Sequence, residues 1–217
     1  HAVLRRVPAD DDRVLILGSG LLGMGIAISL RALGKHCRLY AITRHGHQAE
    51  LMRRAGVDEI IPTSRGDNQA RRYHSVAARI GGTALPSKFG HHAFVGGFDM
   101  VYDCVGSGQS LTDAMKYARS GGTVVEVGTS QIGTVDTCPL WFDELTLIGA
   151  NGRAFEEYQG RRMHTYEVVL ELVQQRRLDL RGLLTHRFRV DQYKEAFATL
   201  VDRGRTRAVK VAFEGGK

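Results

Sequence analysis

The chain has 217 residues, 43% hydrophobic and 24% charged, a balance that supports one sizeable buried core and excludes disordered or collagen-like composition. Its formal net charge is +7, but the basic pairs Arg5-Arg6, Arg53-Arg54, Arg71-Arg72, Arg161-Arg162 and Arg176-Arg177 fall in separate segments, so solvated helix faces are expected rather than a nucleic-acid-binding arm. Cys37, Cys104 and Cys138 form no CxxC pair, and no run reaches the roughly 20 apolar residues that span a bilayer; a reducing, cytoplasmic setting without membrane contact is expected.

In chain order, Arg13 to Leu17 (RVLIL) is an unbroken apolar run, the pattern of a parallel strand buried on both faces, and Gly18 closes it. Leu21 to Leu33 predicts a helix with small residues at Gly23, Gly25 and Ala27 for close packing, ended by Gly34. A second strand (Cys37 to Ile42), a helix (His47 to Ala55) stopped by Gly56, and a short strand (Glu59 to Ile61) complete a βαβαβ unit. Asn68 to Ile80 predicts a further helix. Residues 81–97 carry turn residues and no period, which predicts a surface loop.

Strands follow at Asp99 to Val105, Thr123 to Val127 and Leu145 to Ile148, with a helix from Ser110 to Ala118. Six strands alternating with helices predict an α/β fold of the Rossmann type, a doubly wound parallel six-stranded sheet in the order 3-2-1-4-5-6. Beyond Gly152 the pattern changes to a helix (Met163 to Gln175), a strand (Leu183 to Phe188), a helix (Gln192 to Val201) and a strand (Ala208 to Phe213). The expected division is therefore 1–152 for the sheet domain and 153–217 for a C-terminal α+β extension.

Gly18-Ser19-Gly20-Leu21-Leu22-Gly23 is a GxGxxG pattern placed between a strand and a helix. Gly18 would allow the tight turn, Gly20 the approach of a pyrophosphate, and Gly23 close helix–strand packing, with the N–H groups of Leu21 and Leu22 facing the anion. At the end of the second strand, Tyr40-Ala41-Ile42-Thr43-Arg44-His45-Gly46 lacks the acid that hydrogen-bonds the ribose 2′-hydroxyl of NAD. A hydroxyl and a guanidinium at Thr43 and Arg44 suit a 2′-phosphate, so NADP is preferred over NAD.

The segments VLILGSGLLGMG, AELMRRAGVDEII, FDMVYDCVGSGQSLTDAMKYARSGGTVVEVG, LTLIGANG, LTHRFRVDQYKEAFATLV and VKVAFEG together resemble the zinc-type medium-chain alcohol dehydrogenase superfamily, in family order across nearly the whole chain. The resemblance implies hydride transfer between a nicotinamide cofactor and an alcohol or carbonyl substrate. It implies cofactor contacts at Gly18, Gly20, Leu21, Leu22 and Gly23 for the pyrophosphate, at Thr43 and Arg44 for the adenosine ribose, and at Val105 and Gly106 for the adenosine end. Gly128 with Thr129, and Gly149 with Ala150 and Asn151, would fix the nicotinamide, and Lys210 would make a late pyrophosphate contact. In that family a GroES-like domain with the catalytic zinc precedes this region. The chain, which opens at His1 without a methionine, is accordingly expected to be a coenzyme-binding fragment that carries no zinc ligand or catalytic residue and is inactive alone. Residues 153–217 would belong to the missing catalytic domain and expose apolar surface or an unpaired strand edge. The sixth-strand edge is a candidate homodimer contact.

Other candidates carry less. Cys104 reads as a core cysteine, His91-His92 as an adjacent loop pair without metal spacing, His186 as structural, and Phe188, Tyr193, Phe197 and Leu200 as core or interface contacts. No tyrosine is followed by lysine in a YxxxK pattern, which excludes the short-chain dehydrogenase arrangement. A methyltransferase would also want an acid after the second strand. The rival of another class is a non-catalytic regulatory module sensing NAD(P).

Overall fold

The computed structural model describes residues 1–64, 66–86 and 92–215. A single-turn helix α1 (Ala2–Arg5) precedes β1 (Arg13–Leu17), α2 (Leu21–Ala32), β2 (Arg38–Thr43), α3 (Gly46–Arg54), β3 (Glu59–Pro62) and α4 (Gln69–Ile80). Then come β4 (Thr83–Pro86), β5 (His92–Val95), β6 (Phe98–Asp103), α5 (Gly108–Tyr117), β7 (Ala118–Glu126), α6 (Cys138–Phe142) and β8 (Thr146–Gly149). The C-terminal part holds β9 (Phe155–Tyr158), β10 (Arg161–His164), α7 (Thr165–Gln174), β11 (Leu184–Arg189), α8 (Tyr193–Val201), α9 (Arg203–Thr206) and β12 (Lys210–Glu214).

Six strands form one parallel sheet in the order β3-β2-β1-β6-β7-β8. This is the expected doubly wound arrangement once the β4–β5 insertion is set aside. Chain direction across the sheet reverses between β1 and β6, where Leu17 lies beside both Ile42 and Asp103. The carboxyl ends of the strands therefore open a crevice at this point, the place where α/β sheets bind ligands.

The unbroken apolar run of β1 has a direct cause. Val14 and Ile16 point into one core with Leu30, Leu39, Met52 and Tyr102, while Leu15 and Leu17 point into the opposite core with Tyr40, Tyr73, Phe98 and Tyr117. A strand covered by helices on both faces has no polar side to alternate with. Helices α4 and α5 begin with side-chain caps. Asn68 Oδ1 accepts from the Arg71 N–H at 2.9 Å, and Ser107 and Ser110 accept reciprocally from each other's backbone N–H at 3.1 and 2.9 Å.

Two expectations need correction. Residues 81–97 are not simply a loop: β4 and β5 pair antiparallel, Thr83 opposite Val95 and Pro86 opposite His92. Four-residue strands with glycines on either side give no readable alternation, yet Ala84 and Phe94 pack inward, the Phe94 ring lying 6.5 Å from Tyr73 and 5.6 Å from Tyr117. His91 lies outside the described residues, and His92 is a β5 residue whose ring meets Tyr73 edge-on at 5.8 Å. In the C-terminal part, Met163 and His164 belong to β10 rather than to the following helix. Gln159 and Gly160 both have positive φ (50° and 72°), the conformation of a tight two-residue hairpin turn, and they fold β10 back on β9. Among the described residues no helix is long and apolar enough to cross a membrane.

Candidate coenzyme site

The glycine turn links β1 to α2 at the crevice. Gly18 has φ of +104°, a conformation a side chain resists, and a Cβ built there would lie 2.8 Å from Val105 Cγ2. Gly23 is closed: a Cβ would come within 2.0 Å of the Gly18 carbonyl oxygen and 3.0 Å of Ile16 Cγ2, so its missing side chain is what lets α2 pack on β1. Gly20 is the opposite case, with no protein atom within 4 Å of an added Cβ. The space beside Gly20 is open although the turn around it is tightly packed. Ser19 fixes that turn from below, its hydroxyl donating to the Ile42 carbonyl at 2.6 Å and its side chain buried.

Gly20 is the N-cap of α2 and supplies no side-chain acceptor. The first N–H groups of a helix have no intrahelical partner, so those of Leu21 and Leu22 face the open side of the turn with the positive end of the helix dipole behind them. The two other helices described above as beginning with polar caps satisfy these groups internally. This one has no side-chain cap at its start.

On one side of the turn lies a groove of about 410 Å³, lined by Leu17, Gly18, Ser19 and Gly20 together with residues from the ends of β2, β3 and β6. Arg44, His45 and Gln48 come from the β2–α3 junction, Thr63 follows β3, and Cys104 and Val105 follow β6. On the other side, a cleft of about 230 Å³ is bounded by Leu21, Leu22, Gly25 and Ile26 of α2, by Val127, Ala150 and Gly152 from the ends of β7 and β8, and by Ala2 and Val3 of α1. The uncapped helix start sits between the two.

Of the residues singled out from the sequence, Gly18, Gly20, Arg44 and Val105 line the groove, and Leu21, Leu22 and Ala150 line the cleft. Thr43 is buried behind Arg44, its carbonyl accepting the Thr63 N–H at 2.8 Å. Gly106, Gly128 and Thr129 line neither space. Instead they press the β6 and β7 turns together, since a Cβ on Gly106 would lie 2.5 Å from the Thr129 carbonyl oxygen and one on Gly128 2.5 Å from the Gly106 nitrogen. Gly149 closes β8, Ala150 donates its N–H to the Glu126 carbonyl at 2.9 Å, and Asn151 is exposed beside them. Lys210 is an exposed residue of β12 paired with Leu184 and lines neither the groove nor the cleft.

The turn after β6 is held by Asp103, which sequence reasoning did not single out. Its fully buried carboxylate accepts from the N–H groups of Val105 (2.9 Å) and Gly106 (3.3 Å) and from the Ser110 hydroxyl (2.9 Å). Burial pushes its pKa up, and these donors offset part of that rise. Burial, helped by Asp103, also pushes the Cys104 thiol up; the residue follows β6, packs partly buried against the core and lines the groove, rather than sitting within a buried strand as the sequence suggested. His45, Gln48 and Thr63 were likewise not singled out. The histidine and glutamine follow directly after the strand whose end was read for a missing acid, so the same segment held the signal.

A metal does not fit these residues: among the described ones, no three His, Cys, Asp or Glu side chains converge as a metal would require.

The comparisons with known proteins agree with this geometry. L-idonate 5-dehydrogenase of Vitis vinifera is 29% identical over 216 residues, and sorbitol dehydrogenase of Arabidopsis thaliana 25% over 217; each alignment covers 98% of this chain and 52% of the relative. The chain thus spans about half the length of the curated relatives it matches. Among solved structures, an Escherichia coli CFT073 "short chain alcohol dehydrogenase" complexed with cofactor NADH superposes with a TM-score of 0.72 at 18% identity, covering 99% of this chain and 57% of that one. A Sinorhizobium meliloti putative zinc-binding dehydrogenase bound to NADP gives 0.70 at 19% identity, covering 99% and 56%. These structural matches establish the shared fold. The family profile described as zinc-binding dehydrogenase matches residues 22–167, two thirds of the sequence, and the chain belongs to that family.

Proposed function

We propose that this chain is the coenzyme-binding part of a nicotinamide-dependent dehydrogenase acting on an alcohol or carbonyl compound. One observation carries the reading: the open space beside Gly20 at the uncapped start of α2, between a groove and a cleft at the carboxyl edge of a doubly wound sheet. A pyrophosphate there accepts from the Leu21 and Leu22 N–H groups. The adenosine half then runs into the groove toward Thr43 and Arg44, past Val105, and the nicotinamide half into the cleft beside Ala150, with Gly149 and Asn151 at its rim. Gly106, Gly128 and Thr129 hold the two turns that shape this floor. The bound nicotinamide supplies the hydride acceptor or donor; the chain's own residues bind it, orient it and cover one face.

NADP is the preferred form in this proposal. The groove lining contains no carboxylate, and Arg44 stands where an acid would hold a ribose hydroxyl. Support for the dinucleotide class comes from the relatives, two of whose structures carry NADH or NADP. We further propose that residues 153–217 pack against a catalytic half outside this sequence. Leu184, Tyr193, Phe197, Val201 and Phe213 are exposed on β11, α8 and β12, and the β11–β12 pair has no third strand among the described residues. The β8 edge, with Thr146 and Leu147 exposed, is the proposed contact between two copies.

Equilibrium titration of the chain with NADPH and NADH, followed by nicotinamide fluorescence, tests the reading. Saturable binding of both, tighter for NADPH, is expected. Binding of neither overturns the dinucleotide assignment, and tighter NADH binding overturns the preference alone.

A further inference from the structure

One side chain in the adenosine groove comes from the C-terminal extension. Arg203, the first residue of α9, lines the same space as Gly18, Gly20, Arg44, His45 and Thr63. Its neighbour Gly204 rests on the His45 ring: a Cβ built on Gly204 would lie 3.1 Å from His45 Cε1. This contact places Arg203 on the β2–α3 side of the groove, over the ribose end, and away from the cleft by Ala150.

The charge pattern around it is equally specific. Arg205, two residues along, is neutralised by Asp202 at 2.9 Å. Among the described residues, neither Arg44 nor Arg203 meets a carboxylate. Arg203 Nε donates to the Leu200 carbonyl at 3.0 Å, which anchors the base of the guanidinium, and the residue lines the groove. Two guanidinium groups that meet no carboxylate, on the same β2–α3 side of a groove whose lining holds no carboxylate, form a place for a doubly charged ester phosphate, because each arginine offers a planar fork to phosphate oxygens.

We propose that Arg203 is a second specificity-determining residue, closing from the extension onto the phosphate ester of the adenosine ribose alongside Arg44. The inference rests on the dinucleotide reading above and adds to it a coupling: the extension folds over the coenzyme, so NADP(H) ties it to the sheet domain while NAD(H), lacking the ester, does not.

The test titrates NADPH and NADH against the 217-residue chain and its Arg203→Gln, Arg203→Lys and Arg44→Gln variants, with thermal melts of each as a check on folding. Arg203→Gln is expected to weaken NADPH about tenfold and NADH less than about twofold, Arg203→Lys to recover part of the NADPH affinity, and Arg44→Gln to show the same selectivity. Equal loss for both nucleotides would place Arg203 on the shared pyrophosphate and overturn the proposal, as would no loss for either. Failure of the unsubstituted chain to bind either nucleotide would instead remove the dinucleotide reading on which it rests. A melting temperature that NADPH raises and NADH does not, with the difference abolished in Arg203→Gln, supports the coupling; equal elevation by both contradicts it.

Discussion

The sheet domain and the C-terminal extension use similar apolar residues to different ends. In the sheet, Val14, Leu15 and Ile16 are completely buried, because helices cover both faces. In the extension, Tyr158, Val168, Leu172 and Leu178 form a small buried cluster against Ala32 of α2, and α8 buries only Ala196 while leaving Phe197 62% and Val201 87% exposed. An amphipathic pattern therefore identifies an element's apolar face without saying what covers it. In the sheet the cover lies within the chain; for α8 it does not among the described residues.

The largest expected effect breaks this comparison at its strongest point. Leu15→Ala should cost about 3 kcal/mol in urea unfolding, since it opens a cavity in a closed core, whereas Phe197→Ala should change stability by no more than ~0.5 kcal/mol. Equal losses would mean that α8 is as well covered as β1. Next in size is Gly23→Ala, expected to cost ~2 kcal/mol or more because the methyl group meets the Gly18 carbonyl and cannot move away without lifting α2 from the sheet. A neutral outcome would show that the helix–strand contact is looser than described.

A smaller effect depends on pH. Asp99 sits at the start of β6, where burial pushes its carboxyl up. That rise is outweighed by hydrogen bonds from Arg119 Nε (2.5 Å) and the Arg13 N–H (2.8 Å) and by both positive charges, leaving the pKa below its usual value. A lowered folded pKa stabilises the fold above the unfolded value near 4, and this is lost as pH falls through the folded value. Asp99→Asn should therefore melt a few degrees lower than the unsubstituted chain at pH 7, and the gap should close as the pH falls through the lowered folded value. A gap independent of pH would contradict the assignment.

The sheet was legible in the sequence because buried parallel strands are short, apolar and closed by glycines; β1 is bounded as expected at Arg13 and Leu17. The β4–β5 and β9–β10 hairpins were not, since four-residue strands leave too few positions to alternate and the Gln159-Gly160 turn lacks the usual Asn-Gly or Asp-Gly signal. For the site, the glycine turn and Arg44 could be read from local spacing. Arg203 could not, because it reaches the groove from about 160 residues away in sequence through a contact of Gly204 with His45 that only the folded chain creates. Lys210 shows the converse: position in a family pattern placed it near the pyrophosphate, and the β11–β12 register holds it elsewhere.

The central claim concerns Gly20, where an added Cβ would meet no protein atom within 4 Å but would enter the space assigned to the pyrophosphate. Titration of NADPH into Gly20→Val, alongside its melting curve, isolates that space. The account predicts a fold as stable as the unsubstituted chain to within ~1 kcal/mol, with nucleotide binding weakened at least about a hundredfold. Undiminished binding by a stably folded Gly20→Val chain would contradict it.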